Sequence, residues 1–126
     1  MALPRPVVQF LRYAGAGAIG TSVHFAVLVA AVQLAGIGAI AGSTAGAVAG
    51  ALVNYVLNYR FTFASRRAHR LALPRFSIVS VGGIVLNAAV IAATLRYVQP
   101  HYVIAQAIAT ACVLCTGFLV NRKWTF

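Results

Sequence analysis

Residues 39–63 are AIAGSTAGAVAGALVNYVLNYRFTF, an apolar segment with glycines at four-residue intervals that ends in an arginine and aromatic residues. Residues 39–59 of this segment are the last part of an uncharged run of 47 residues, 13–59. A helix needs about 20 apolar residues to cross the hydrocarbon core of a membrane. The run therefore predicts two membrane-spanning helices, and Gly36-Ile37-Gly38 predicts the break between them.

Further along the chain, two more uncharged runs, residues 76–95 and 97–121, are each long enough for one spanning helix. Arg96 separates the two runs, and Gln99-Pro100-His101 separates the two predicted helices, because Pro100 cannot continue the preceding helix. The composition agrees, since 62% of the 126 residues are apolar and 8% are charged, against about 45–50% and 25% in soluble domains. We expect one all-α transmembrane domain over residues 1–126, with spans at about 13–34, 39–59, 76–95 and 102–121.

The charges predict an orientation. The chain has ten Lys and Arg residues and no Asp or Glu. Nine of the ten fall at the N-terminus, in the middle loop or at the C-terminus, and Arg96 alone falls on the opposite side. By the positive-inside rule, both termini and the middle loop are cytoplasmic. The nine residues are Arg5, Arg12, Arg60, Arg66, Arg67, Arg70, Arg75, Arg122 and Lys123.

The missing carboxylates exclude several kinds of chemistry. Without Asp or Glu there is no carboxylate acid or base, carboxylate metal ligand or carboxylate proton carrier. Cys112 and Cys115 fall in the middle of an apolar segment, where a desolvated thiol is inert. We therefore expect no metal, no cofactor and no enzymatic activity. Because the basic residues lie between apolar segments, we expect anionic lipid headgroups rather than nucleic acid as partners.

An offset of 63 residues reveals an internal repeat of residues 1–63 in residues 64–126. It aligns Asn58-Tyr59-Arg60-Phe61-Thr62-Phe63 with Asn121-Arg122-Lys123-Trp124-Thr125-Phe126. The same offset pairs Arg12 with Arg75, Tyr13 with Phe76, Gly20 with Gly83, and His24 with Asn87. Each half predicts one hairpin of two helices. An even number of spans per half makes the two copies a parallel repeat.

Small and polar residues in the spans have two interpretations. Glycines let neighbouring helix backbones approach closely, which predicts a packing role for Gly20, Gly42, Gly46, Gly50, Gly83 and Gly117. Polar side chains in a span can bond helix to helix, or can line a polar crevice for a hydroxylated headgroup. The crevice candidates are His24, Asn54, Asn58, Asn87, Gln106 and Asn121.

Basic residues at the predicted cytoplasmic ends of the spans also have two interpretations. They can be interfacial anchors that reach toward the headgroups. They can also bind a lipid phosphate, because guanidinium groups bind phosphate in bidentate fashion and keep their charge. The candidates for lipid-phosphate binding are Arg12, Arg60, Arg75, Arg122 and Lys123.

Together these features resemble the GtrA-like family over essentially the whole chain. The resemblance is carried by Arg12-Tyr13-Ala14-Gly15 at the start of the first span and by the doubled Asn-x-[Arg/Lys]-aromatic-Thr-Phe motif. It implies a multi-pass protein of the bacterial inner or plasma membrane in cell-surface polysaccharide synthesis. Members are proposed to move polyprenyl-phosphate-linked sugars across the membrane or to support the glycosyltransferases involved. Many relatives carry acidic residues in or near the first span, and this chain has none.

Two functions follow from the resemblance. The first is a flippase or facilitator for polyprenyl-phosphate sugars, and the alternative is a non-transporting anchor or accessory subunit of a membrane glycosyltransferase. A small multidrug exporter is disfavoured, because such exporters depend on an intramembrane Glu. Four short helices leave little room for a substrate path, so we expect a homodimer or a larger assembly.

Overall fold

A computed structural model describes residues 2–99 and 101–126. The described residues form four long helices and no strand: α1 (Arg5–Gln33), α2 (Ala39–Leu57), α3 (His69–Tyr97) and α4 (Tyr102–Val120). Helices α2 and α4 each continue into a five-residue π-helical turn, Asn58–Thr62 (the first π turn) and Asn121–Thr125 (the second π turn). All four helices are long and apolar enough to cross a membrane, which confirms the predicted all-α chain with four spans.

The chain divides into two compact units. The first hairpin, which ends at Ser65, packs α1 against α2 and the first π turn. The second hairpin, which begins at Arg66, packs α3 against α4 and the second π turn. Between α1 and α2, Gly36 has a φ of +66°, a left-handed conformation that glycine adopts without steric cost. The break predicted at Gly36-Ile37-Gly38 is therefore where the chain turns.

The helices extend beyond the predicted spans. Helices α1 and α3 begin at Arg5 and His69 rather than near residues 13 and 76, and the π turns carry α2 and α4 past residues 59 and 121. Uncharged runs mark only the hydrocarbon core, whereas a helix continues into the interface where arginines reach the headgroups. Arg70 and Arg75, expected in the middle loop, consequently lie in α3. The predicted break at Pro100 lies outside the described residues.

The interior of each hairpin is small and partly polar, while large apolar side chains point outward. Isoleucine, leucine, valine and phenylalanine side chains are exposed along the spanning helices, as expected where lipid replaces water. The buried polar residues are Asn58 and Thr62 in the first π turn and Asn121 and Thr125 in the second. The 63-residue offset of the sequence repeat relates Asn58 to Asn121 and Thr62 to Thr125.

Candidate functional site

In the first hairpin, the backbones of α1 and α2 are in contact at glycines. A methyl group at Gly20 would lie 2.8 Å from the carbonyl oxygen of Gly50, and one at Gly46 would lie 2.5 Å from that of His24. Such distances are shorter than any real Cβ contact. Gly42, also buried, faces Val32, whose Cγ2 would lie 3.2 Å from an added methyl group. Glycines in α2 thus allow the close approach of the two helices.

The second hairpin packs differently at the equivalent positions. A methyl group at Gly83 would meet the side chain of Val113, at 3.2 Å, rather than a backbone atom. Val113 occupies the position that corresponds to Gly50 in the repeat. Gly117 is half-buried, and its carbonyl oxygen accepts a hydrogen bond from the backbone N–H of Asn121. The contact between α3 and α4 therefore runs through side chains.

Polar residues within the spans form separate local contacts in the two hairpins. In the first, Asn58 Nδ2 donates to Asn54 Oδ1 at 2.7 Å. His24 packs against Gly46 and Gly50 and stacks on the ring of Phe25 at 5.5 Å.

In the second hairpin, Gln106 Nε2 donates to Asn87 Oδ1 at 3.1 Å, across from α4 to α3. The same nitrogen donates to Thr110 Oγ1 at 3.0 Å. Of the six crevice candidates, the first hairpin thus holds His24, Asn54 and Asn58, and the second holds Asn87, Gln106 and Asn121. The structure brings Asn87 and Gln106 together within the second hairpin.

Each π turn is capped by an arginine from the other helix of its own hairpin. Arg12 Nη1 donates to the carbonyl oxygen of Phe61 at 3.2 Å, and Arg75 Nη1 donates to that of Trp124 at 2.9 Å. The last carbonyl groups of a helix lack intrahelical donors, and a cation there also complements the negative end of the helix dipole. Sequence reasoning missed this role, although the constant offset between the arginine and the aromatic residue was a usable signal.

Other residues of the repeated motif form backbone hydrogen bonds and ring contacts at the same end of each hairpin. The backbone N–H of Phe63 donates to Asn58 O at 3.0 Å, and that of Phe126 donates to Asn121 O at 2.9 Å, which closes each π turn. The ring of Phe63 lies 6.1 Å from that of Tyr13, and the ring of Phe126 lies 6.1 Å from that of Phe76. The asparagine, the aromatic residue and the final phenylalanine of each motif thus have structural roles.

An open groove of about 410 Å³ lies at this end of the first hairpin. Arg12 is the charged residue of its lining, and the apolar lining residues, which we call the floor, come from both helices and the first π turn. The lining residues are Arg12, Gly15, Ala16, Ile19, Leu57, Phe61 and Thr62. Because a guanidinium has five N–H donors, the hydrogen bond to Phe61 leaves Arg12 able to bind an anion. An amphiphile with a phosphate head and an apolar tail matches this lining.

The other phosphate candidates differ in their surroundings. Arg60 and Lys123 are exposed on the π turns. The guanidinium of Arg75 lies 5.2 Å from the ring centre of Trp124, and that of Arg122 lies 6.0 Å from that of Phe118. Since the chain has no Asp or Glu, none of its own side chains supplies a carboxylate to pair with these cations.

The described residues contain no cluster of three or more His, Cys, Asp or Glu residues that could hold a metal ion. Cys112 and Cys115 are free cysteines.

Two hairpins of membrane-length helices, each closed by an arginine-capped π turn, define a small multi-pass membrane protein. The family model described as GtrA/DPMS, transmembrane domain matches residues 12–126, and the chain belongs to this family. The resemblance stated from the sequence is thereby confirmed. Membership indicates involvement in glycan synthesis that uses polyprenyl-phosphate sugars, and association with such lipids in the membrane. Comparisons with curated proteins and with solved structures gave no match.

Proposed function

We propose that the protein is a translocase, a flippase or facilitator, for polyprenyl-phosphate-linked sugars used in cell-surface polysaccharide or cell-wall glycan synthesis. The proposal is supported above all by the groove at the end of the first hairpin, where Arg12 stands above an apolar floor. The phosphate pairs with Arg12. A second arginine, Arg60 on the first π turn, directly precedes the groove residue Phe61 in the sequence. The prenyl chain follows the floor into the surrounding lipid.

Translocation requires a polar headgroup to pass through hydrocarbon, which is the main energetic barrier. Uncharged hydrogen-bonding groups lower that barrier without the cost of a buried charge. In the first hairpin, Asn58, Asn54 and His24 continue from the π turn toward the middle of the helices. In the second, Asn87 and Gln106 provide an amide pair within the span. We assign the sugar hydroxyls to Asn54, His24, Asn87 and Gln106, whereas Asn58 is buried and holds the side chain of Asn54 by its hydrogen bond.

The energy source follows from the composition. With no Asp or Glu in the chain, a carboxylate cannot carry a proton to drive transport. Movement is therefore downhill, drawn by consumption of the sugar on the far side, or is driven by a partner protein. We place the termini and the Arg12 groove on the cytoplasmic side of a bacterial inner membrane, on the charge bias of the loops, and we propose a homodimer.

The test is leaflet exchange in vesicles that contain the purified protein at a controlled lipid-to-protein ratio. A fluorescent polyprenyl-phosphate sugar is incorporated, and a membrane-impermeant reductant bleaches the outer leaflet. We expect faster exchange than in protein-free vesicles, and slower exchange with Arg12→Gln. Exchange at the protein-free rate for the unmodified protein contradicts the proposal.

A second function is favoured by the family itself, whose description joins GtrA with the transmembrane domain of DPMS. On this proposal the chain anchors or stabilises a membrane glycosyltransferase, and its exposed arginines, such as Arg66 and Arg70, meet an acidic surface of the enzyme. Co-purification with a glycosyltransferase, together with unaltered leaflet exchange, would support this function over translocation.

A further inference from the structure

The two hairpins share the arginine-capped π turn but differ in the residues that correspond to the floor of the groove. Gly15 and Ala16 line the groove in the first hairpin. The repeat offset places Ile78 and Val79 at the corresponding positions of the second hairpin. The site of a Cβ atom at Gly15 has no heavy atom within 4 Å, so the floor there is open space. Two branched side chains occupy these positions in α3.

The two capping arginines also differ. Arg12 is exposed, and its hydrogen bond to the first π turn is 3.2 Å long. Arg75 is half-buried, its corresponding hydrogen bond is 2.9 Å long, and its guanidinium lies over the ring of Trp124. A guanidinium held by a carbonyl oxygen and an aromatic face has less freedom to turn toward a ligand.

We propose that the two hairpins have different roles: the first binds the lipid phosphate in its groove, and the second is a structural copy in which Arg75 serves chiefly as a helix cap. The occupant is the phosphate and the first prenyl units of a polyprenyl-phosphate lipid, so this inference rests on the proposed function for its ligand class.

The decisive variant is Gly15→Ile, which introduces into the first hairpin the side chain found at position 78. Because nothing lies within 4 Å of the added Cβ, and because glycine is the poorer helix former, the variant should fold as stably as the unmodified protein. Gly82→Ile is the matched control, since Gly82 also has nothing within 4 Å and corresponds to Ile19 of the groove. Both variants add the same side chain to a spanning helix.

Binding of a short-chain polyprenyl phosphate to the detergent-solubilised full chain is measured by titration calorimetry, with thermal stability measured in parallel. We expect Gly15→Ile to weaken binding at least tenfold and Gly82→Ile to change it less than twofold, with neither melting temperature lowered. Unaltered binding by Gly15→Ile, or equal loss by both variants, would overturn the assignment to the first hairpin.

A second pair of variants tests the cation. Arg12→Gln should weaken binding at least tenfold more than Arg75→Gln, whereas Arg75→Gln should lower the melting temperature more than Arg12→Gln. Equal losses of affinity would overturn the division of roles. Inorganic phosphate and phosphatidylglycerol serve as competitors, and displacement by phosphatidylglycerol at equal concentration would overturn the choice of a prenyl lipid. If the unmodified protein binds no polyprenyl phosphate, the proposed function itself fails, which is a distinct result.

Discussion

Substitution of Gly20 by alanine should lower the stability of the protein, whereas substitution of the paired Gly83 by alanine should not. A methyl group at Gly20 would lie 2.8 Å from the backbone oxygen of Gly50 and 3.0 Å from Asn54 Cβ. Neither atom can move unless the helices separate, and overpacking of this kind costs about 1–3 kcal/mol. A methyl group at Gly83 meets only Val113 Cγ1, at 3.2 Å, and a small shift of that side chain costs less than the 0.5–1.5 kcal/mol of a rotamer displaced by about 30°.

Both substitutions gain the same helix propensity, about 1 kcal/mol for replacing glycine with alanine. The propensity gain therefore cancels in the comparison. Gly20→Ala should lower the free energy of unfolding by up to about 2 kcal/mol, which is the overpacking cost less the propensity gain. Gly83→Ala should leave it unchanged or raise it by up to about 1 kcal/mol.

The assay is equilibrium unfolding of the two purified variants in mixed detergent micelles of increasing SDS fraction. The unmodified protein is the reference, and Gly15→Ala, where an added methyl group meets nothing within 4 Å, measures the propensity gain alone. If Gly20→Ala proves as stable as Gly83→Ala, the backbones of α1 and α2 are not in contact at Gly20, and the account of the glycines in α2 is wrong.

Three further substitutions test other parts of the structure in the same unfolding assay. Arg75→Gln should cost about 1–2 kcal/mol, because the second π turn loses a charged cap and a cation–π contact; an unchanged stability would contradict the capping role. Asn58→Ala should cost about 1 kcal/mol by removing the donor to Asn54, and a stabilised variant would refute that. Ala64→Gly should gain about 1 kcal/mol, since Ala64 has a φ of +46°; an unchanged or lowered stability would contradict strain at this position.

The four spans were predictable because the membrane imposes a length on every helix and because charges are excluded from its core. Uncharged runs of 47, 20 and 25 residues leave few ways to distribute the helices. The same reasoning could not find the helix ends. Residues such as Arg5 and Arg70 are charged yet helical, since the rule that excludes charge applies only to the hydrocarbon.

The contacts inside each hairpin were harder to predict. Glycine spacing indicated a packing face, but only the structure shows that Gly46 and Gly50 face His24 and Gly20. The polar residues were considered together as one possible crevice. Their actual partners depend on helix rotation, which a span of nearly uniform hydropathy does not determine, because lipid accepts any apolar face.

The arginines show most clearly how structure alters the interpretation of a motif. Arg12 and Arg75 recur at equivalent positions, and the sequence made both of them candidates for binding a lipid phosphate. Each in fact donates to the last turn of a π helix, so the demands of closing a hairpin are enough to explain why the motif occurs twice. A ligand requires more than the cap, namely an exposed guanidinium beside open apolar space. That requirement is met at Gly15 and Ala16, outside the repeated motif. The motif therefore identifies the fold, and the small residues that follow the arginine in α1 mark where we propose that a lipid binds.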